Sequence, residues 1–334
     1  MPPLERLFDY RHAFDHPVSA WITGVVAVLI VVTFPLIVLL HRLGRIGDDS
    51  REELMKRTRS WAILAPAFIV PVLAGAAWTI LCVMIIALLC YREYARATGL
   101  FREKAMSLLV VAGILVATFA VADHWYGFFM ALGPLTIVVI AAAAILYDQP
   151  SGYIQRVGLS ALAFLFFGIS FGHIGYMAND PDYRPIVLML VVSVELNDIF
   201  AYLTGRTLGR RKLAPRTSPN KTVGGAAGAM ILTSLLVGVL GHFVFAGTIM
   251  DDPLKLAGLG LIVSIAGQLG DLMLSSIKRD IGIKDMGVTL PGHGGFLDRF
   301  DSLILVGPAV FHYVGYFRGF GVEEPVRIIT GGGA

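Results

Sequence analysis

The sequence predicts an all-α protein that crosses a membrane many times. Of its 334 residues, 56% are hydrophobic and only 15% are charged, and the mean hydropathy is +0.73. Soluble domains average about 25% charged residues. The apolar runs are about as long as the ~20 residues that cross a bilayer core of ~30 Å. Two soluble domains are therefore excluded, and the formal net charge of +3 is too small to indicate a nucleic-acid partner.

Apolar runs predict about ten membrane-spanning helices. Their ranges are 19–41, 61–74, 76–91, 105–123, 126–147, 154–177, 185–204, 223–247, 254–276 and 303–320. The stretch 61–91 is divided in two because a single helix of that length would measure about 46 Å, too long for one upright span. Pro66 and Pro71 interrupt its first half, and Gly75 offers a turning point. The sequence therefore predicts a tight helical hairpin there.

The charges of the connecting loops test this helix count. Lysine and arginine concentrate in the segments 42–60, 92–104, 205–222 and 277–301. The links near residue 123, at 179–182 and at 251–253 are short and acidic or nearly uncharged. With ten spans, every basic loop falls on the cytoplasmic side, as the positive-inside rule requires. The sequence thus predicts a multi-pass protein of the inner (cytoplasmic) membrane, with both termini outside the cytoplasm and its polar end facing the cytoplasm.

The chain divides into four parts by composition. We predict an N-terminal extra helix and basic loop at 1–60, a membrane scaffold at 61–190, a catalytic region at 191–320 and a tail at 321–334. Cys82 and Cys90 lie in one apolar run, with no His or Cys companion at metal-ligand spacing. They therefore indicate neither a disulfide framework nor a zinc site.

Ionisable residues occur in two of the predicted helices. Glu195, Asp198 and Tyr202 are spaced to share one face of the helix at 185–204, close to its polar end. Such groups cost about 2.5–3.5 kcal/mol each inside a bilayer, so two acids on one face suggest a shared polar cavity. The alternative is that both carboxylates simply reach water from the helix end.

The helix at 254–276 carries a longer polar stripe. Ser264, Gln268, Asp271 and Ser275 step by four, three and four residues, and Lys278 follows. This pattern is typical of a helix that lines a cavity. An unpaired Asp271 would be costly, so we expect a cation or a basic side chain beside it. A purely structural polar contact is the alternative.

The segment 275–301 combines cations, acids, glycines and a histidine in a region too polar for the membrane interior. Carboxylates can hold a hard divalent cation, and lysine and arginine neutralise phosphate oxygens. Glycines allow backbone N–H groups to approach an anion closely. The segment therefore suits a metal-bound polyphosphate. A solvated cytoplasmic loop would explain its cations, but not the glycines, the histidine and the interleaved acids.

This segment resembles the signature of the phosphatidate cytidylyltransferases. The matching positions run through Ser275, Lys278-Arg279, Lys284-Asp285, Gly287, Pro291, His293-Gly294-Gly295 and Asp298-Arg299 to Asp301. A second matching block comprises Asp198, Ala201-Tyr202, Gly205-Arg206 and the run from Ser218 to Thr222. Two positions depart from the family pattern: Asn220 replaces a common lysine, and Gly224 a common glutamate.

The resemblance implies that phosphatidic acid attacks the α-phosphorus of CTP to give CDP-diacylglycerol and pyrophosphate. It implies that Asp271 and Asp298 hold the metal, with Mg²⁺ essential and a second cation left open. The implied catalytic residues are Lys278, Arg279, Lys284, Asp285, His293, Arg299 and Asp301. The implied substrate-binding residues are Asp198, Tyr202, Ser218, Pro219, Lys221, Thr222, Ser275, Gly294 and Gly295. The expected partners are CTP, phosphatidic acid and the lipid bilayer, and a homodimer is compatible with the family.

Two alternatives stay open at this point. The first is a CTP-dependent enzyme of the same fold that acts on another lipid phosphate, or on an isoprenoid alcohol. The second is a cation-coupled transporter that uses Glu195, Asp198 and Asp271 as its ion pathway. The acids cluster near helix ends beside a phosphate-suited loop, which favours the enzyme.

Overall fold

In the computed structural model, residues 7–290, 294–320 and 327–331 are described. The fold is a bundle of long helices with one small β-hairpin. The elements are α1 (Pro17–Arg42), α2 (Asp48–Ala74), α3 (Ala76–Thr98), α4 (Lys104–Ala122), α5 (Tyr126–Ala144), α6 (Tyr153–Met177), α7 (Tyr183–Leu208), β1 (Lys212–Ala214), β2 (Ser218–Thr222), α8 (Val223–Val244), α9 (Pro253–Asp280), α10 (Leu297–Phe300) and α11 (Leu303–Phe317). The middle of α6, Phe164–Ser170, is wound as a π-helix. The all-α membrane fold is confirmed.

Within the described residues, nine helices rather than ten are long and apolar enough to cross a membrane. The short α10 and α11 count together as one of these spans, Leu297–Phe317. The predicted tenth helix is present in α2, but α2 begins at Asp48 instead of residue 61. Its first half is a polar helix with exposed i,i+4 ion pairs, Glu52–Lys56 and Glu53–Arg57. Its apolar part, 61–74, is only about 21 Å long, so α2 is long enough but not apolar enough to count as a complete span.

The predicted hairpin at Gly75 is confirmed. Helix α2 ends at Ala74 and α3 begins at Ala76, with Gly75 alone between them at φ +139°. A side chain there would be strained by this backbone conformation. It would also meet a close neighbour, because an added Cβ would lie 2.6 Å from the carbonyl oxygen of Leu7. The chain therefore reverses here only because residue 75 is a glycine.

The end of the long helix α9 differs from the prediction. We expected it to stop at residue 276 and the polar loop to begin at Ser275. Instead α9 continues to Asp280, with Lys278 and Arg279 in its last turn. Cations in this position are stabilised by the negative end of the helix dipole. Lys278 is thus held on a rigid helix, and the loop between helices runs over 281–296.

Helices α7 and α8 pack closely through small residues. An added Cβ at Gly225 would lie 2.6 Å from the carbonyl oxygen of Ala201. At Gly224 it would lie 2.6 Å from the carbonyl oxygen of Leu208. The absence of a side chain at Gly224, where the family commonly has a glutamate, therefore allows the end of α7 to approach the start of α8.

The polar stripe of α9 serves two purposes instead of one. Its first half joins a buried network: Ser264 Oγ donates to Asn197 Oδ1 over 2.6 Å, and Thr233 Oγ1 of α8 donates to the same atom over 3.0 Å. Gln268 Nε2 donates to Ser264 Oγ over 3.1 Å. Here the prediction of a cavity-lining stripe is wrong, because these groups hydrogen-bond one another between α7, α8 and α9, although Asn197 Nδ2 has no partner among the described residues. Only Asp271 and Ser275 reach the polar end of the bundle.

At the other end of the bundle, Asp123 binds the C-terminal segment. Its Oδ1 accepts from the backbone N–H groups of Ile329 and Thr330 over 2.6 and 2.9 Å, and its Oδ2 accepts from Thr330 Oγ1 over 2.7 Å. Burial by itself raises the pKa of the Asp123 carboxyl, but these donors and Arg327 outweigh it and lower the pKa below its usual value. Asp123 therefore ties the tail to the loop that follows α4.

Candidate active site

The polar end of the bundle brings together residues that are far apart in the sequence. The hairpin β1–β2 precedes α8, and Thr222 caps that helix by accepting from the backbone N–H of Gly225 over 3.0 Å. The preceding residue, Lys221, forms an ion pair with Asp271 Oδ2 on α9. The other oxygen of Asp271 accepts from Ser275 Oγ over 3.1 Å. The basic partner expected for Asp271 is thus Lys221.

A second lysine–aspartate pair lies beside the first and is more deeply buried. Lys278 Nζ donates to Asp298 Oδ1 over 2.7 Å, and the two side chains are 10% and 4% exposed. Asp298 Oδ2 accepts from the backbone N–H groups of Met286 and Gly295 over 2.9 and 3.0 Å. Asp298 therefore links the last turn of α9 to both sides of the 281–296 loop.

Further acids surround these two pairs. Gly270 allows α9 to approach the turn before α11, because an added Cβ there would lie 2.8 Å from the carbonyl oxygen of Asp301. Asp301 is buried, and the charges of Asp271, Asp198 and Lys278 act on it. Asp198 is exposed, and the charges of Asp271, Lys221 and Arg299 act on it.

Arg299 supplies positive charge beside two acids of α7. It acts electrostatically on Glu195 and Asp198. Its Nε is buried and has no hydrogen-bond partner among the described residues. An unpaired buried donor is costly, so this group is available to an anionic ligand.

A backbone hydrogen bond joins the two described sides of the signature loop. The backbone N–H of Leu290 donates to the carbonyl oxygen of Gly294 over 2.8 Å. Gly294 has φ +78°, a conformation that glycine adopts without strain. His293 and Pro291 lie outside the described residues, so the catalytic role suggested for His293 stays a prediction.

Several predicted site residues lie at the surface. Tyr202 is 64% exposed, so the polar face it shares with Glu195 and Asp198 does not continue into the packed site. Arg279 is exposed and donates to the carbonyl oxygens of Thr217 and Ile283 over 3.3 and 3.1 Å, which links the β-hairpin to the loop. The remaining exposed residues are Pro219, Lys284 and Asp285, whereas Ser218 is half-buried. Their roles toward substrate stay predictions.

Sequence reasoning missed one residue of this region, Glu93. It lies near the end of α3 and is 7% exposed, in the part of the chain that was predicted to be scaffold. Its carboxylate accepts from Thr289 Oγ1 over 2.7 Å and from the backbone N–H of Leu297 over 2.9 Å. The signal was a lone acid between Arg92 and Arg96 in a basic stretch, which alone does not point to a loop some 200 residues later.

The oxygen atoms that could act as ligands fit Mg²⁺ better at Asp271 than at Asp298. No three His, Cys, Asp or Glu side chains in the described ranges are arranged to hold a metal ion by themselves. Mg²⁺ often needs only one or two carboxylates, because phosphates and water complete its shell. Asp271 keeps free lone pairs beside Ser275 and Lys221, whereas Asp298 already accepts three hydrogen bonds. The assignment of Mg²⁺ to these two acids stays a prediction.

Comparisons with known proteins identify the family of this chain. The sequence model of the "Cytidylyltransferase family" matches residues 55–317. A phosphatidate cytidylyltransferase of Bacillus subtilis (strain 168) is 33% identical over 221 residues, covering 64% of this chain and 81% of that protein. One from Rickettsia bellii (strain RML369-C) is 32% identical over 225 residues, covering 65% and 94%. The Escherichia coli (strain K12) protein named "Uncharacterized protein YnbB" is 31% identical over 290 residues, covering 84% and 94%.

The fold and the site define a class: a polytopic membrane enzyme with paired cations and carboxylates at one end of its helix bundle. The family match covers most of that bundle and begins after α1. The chain belongs to the cytidylyltransferase family, and it is a nucleotidyltransferase that uses CTP.

Proposed function

We propose that this protein transfers the cytidylyl group of CTP to phosphatidic acid, giving CDP-diacylglycerol and pyrophosphate. The observation that carries the proposal is the convergence of Lys221, Asp271, Lys278 and Asp298 from three separate stretches of the chain. Phosphoryl-type displacement asks a protein mainly for positioning and for neutralisation of charge. Two lysines that are each paired with a carboxylate supply both.

The surroundings of each side chain indicate its role. Lys221 and Arg299 both act electrostatically on Asp198, and they would neutralise the triphosphate and the lipid phosphate. Lys278 is paired with Asp298, which in turn accepts a hydrogen bond from the 281–296 loop. Asp271 would hold Mg²⁺, which neutralises phosphate charge and orients the reacting groups when it is bound.

The basic loops around the site support a position at the inner leaflet. CTP would enter from water, while the acyl chains of phosphatidic acid stay in the bilayer. The lipid phosphate is ionised near neutral pH, so it needs positioning next to the α-phosphorus more than it needs a general base.

A labelled-nucleotide assay tests the proposal. Purified protein in detergent or vesicles is given CTP labelled at the α-phosphate, Mg²⁺ and phosphatidic acid. We expect the label in the lipid fraction, one pyrophosphate per labelled lipid, and neither product with Asp271→Asn. Label that stays in CDP would identify a lipid kinase, and label that stays in CTP would exclude transfer to this acceptor.

One observation favours including other acceptors in the same assay. The alignment with the uncharacterised Escherichia coli protein covers 84% of this chain, whereas those with the phosphatidate cytidylyltransferases of Bacillus and Rickettsia cover 64% and 65%. The longer similarity to a protein of unassigned substrate makes another lipid phosphate the second candidate. A panel of lipid phosphates offered at equal concentration decides between the two by kcat/KM.

A further inference from the structure

In the part of the chain that the structure describes, only the signature loop bonds the carboxylate of Glu93. Among the described residues, its bonding partners are the hydroxyl of Thr289 and the backbone N–H of Leu297, over 2.7 and 2.9 Å. No ion pair in the described part of the chain includes Glu93. A buried carboxylate loses its hydration and needs such donors. The burial of Glu93 and the closed conformation of the loop therefore depend on each other.

Two glycines let the loop backbone approach this carboxylate. An added Cβ at Gly287 would lie 2.7 Å from Glu93 Oε1. One at Gly295 would overlap Glu93 Oε2 and would lie 2.9 Å from the backbone nitrogen of Gly287. The loop folds over Glu93 with no room for a side chain at either position. Both glycines match the family signature, and this contact gives them a packing role.

Glu93 and Asp298 hold the loop at four points. Asp298 accepts from the backbone of Met286 and Gly295, and Glu93 accepts from Thr289 and Leu297. The contacts alternate along the chain, so each carboxylate holds one point on either side of residues 291–293. If either carboxylate were lost, the loop would keep only half of these attachments.

We propose that Glu93 is a positioning residue of the active site. It fixes the 286–297 loop and thereby positions the cationic, phosphate-binding side chains that flank this loop in the sequence. The inference rests on the proposed function and extends it, because it assigns a role to helix α3, which lies far from the loop in the sequence. Glu93 itself does not touch the reacting atoms. Its effect reaches them through the loop.

Kinetics with matched variants test the positioning role. Glu93→Ala removes both acceptors and should lower kcat/KM for CTP by about 10- to 100-fold, because a misplacement of about 1 Å in a site can cost on the order of 100-fold. Glu93→Gln should keep at least about one third of the activity, since its amide oxygen can accept from Leu297 and its amide nitrogen can donate to Thr289. Glu53→Ala, the same substitution at an exposed acid of α2, is the control and should match the wild type. If Glu93→Gln is as inactive as Glu93→Ala, the charge rather than the geometry matters, and the proposal is wrong.

Hydrogen exchange of the substrate-free protein gives a second readout that needs no activity. In Glu93→Ala, peptides covering 286–297 should exchange about tenfold faster or more, while peptides covering 205–222 keep the wild-type rate. Unchanged exchange over 286–297 would overturn the proposal, and so would equal acceleration in both segments, which would mean general destabilisation. If the wild type fails to label any lipid, the proposed function fails, and the exchange experiment still decides whether Glu93 holds the loop.

Discussion

Replacing the two aspartates of the site one at a time should separate a loop-organising acid from a ligand-binding acid. Asp298→Asn breaks a pair whose members are 10% and 4% exposed, and leaves Lys278 buried without its counter-ion. Removing one member of a buried pair costs about 3–5 kcal/mol. Asp271→Asn breaks a pair in which the lysine and the aspartate are 20% and 23% exposed. Lys221 Nζ is buried against Asp271, but the side chain is partly exposed and can turn to water when its partner is lost, so we expect a cost of about 1 kcal/mol.

Thermal unfolding of the purified variants in one detergent measures this difference. On the soluble-domain scale of about 2–4 °C per kcal/mol, Asp298→Asn should lower the Tm by about 6–20 °C and Asp271→Asn by about 2–4 °C. Asp271→Asn should nevertheless abolish turnover, because it removes the acid that best fits Mg²⁺. Of these two variants, Asp271→Asn is thus expected to be the more stable one and yet inactive.

A double-mutant cycle completes the experiment. Combining Lys278→Met with Asp298→Asn removes the stranded charge, so the double variant should be less destabilised than the sum of the two single variants. The coupling free energy of such contacts is about 0.5–3 kcal/mol. If Asp298→Asn melts within about 2 °C of Asp271→Asn, or if the cycle is additive, then Lys278 and Asp298 do not form a buried structural pair and our reasoning is refuted.

Three further predictions follow from the same contacts. Lys221→Met should lower kcat/KM for CTP by about 10- to 150-fold, the value of a charged hydrogen bond of about 1.5–3 kcal/mol; a steady-state assay that finds less than a threefold change would contradict a phosphate contact. Gly224→Ala should lower the Tm, because its Cβ would overlap the backbone of α7, whereas Gly238→Ala in the same helix meets nothing within 4 Å and should be neutral or stabilising; equal Tm values would contradict the close approach. Asp123 has a lowered pKa, so the stability that it contributes is present above the unfolded pKa of about 3.9 and is lost as the pH falls through the folded value. The Tm values of the wild type and of Asp123→Asn should therefore converge in acid. A difference in Tm that stays constant with pH would contradict this prediction.

The sequence predicted the helices well where apolar runs were bounded by charge or by glycine. It placed the reversal at Gly75 and most helix boundaries within a few residues, because burial in lipid leaves only long apolar helices as a solution. It was wrong about the start of α2 and about the ends of α3, predicted at residue 91 but found at Thr98, and α9, where polar residues continue a helix beyond the apolar run. Ion pairs one turn apart and a favourable helix dipole extend these helices, and neither is visible in hydropathy.

The candidate site was predicted in its members but not in their arrangement. Asp271 was identified because a charged residue inside a membrane helix usually has a function, and Lys278 and Asp298 were identified through the family signature. Spacing along one helix also suggested that Ser264 and Gln268 line a cavity, whereas they bond to Asn197 on a neighbouring helix. A helical pattern shows which residues share a face, and not what that face meets.

By itself the sequence determined that this protein is a helical membrane enzyme of the cytidylyltransferase type, because composition, apolar length and a long motif are local properties of the chain. Only the tertiary structure decided which acid pairs with which lysine, and that Glu93 belongs to the site. These pairings join residues between 20 and 204 positions apart. They depend on how helices pack and on where glycines permit close approach, and neither can be read from any one segment.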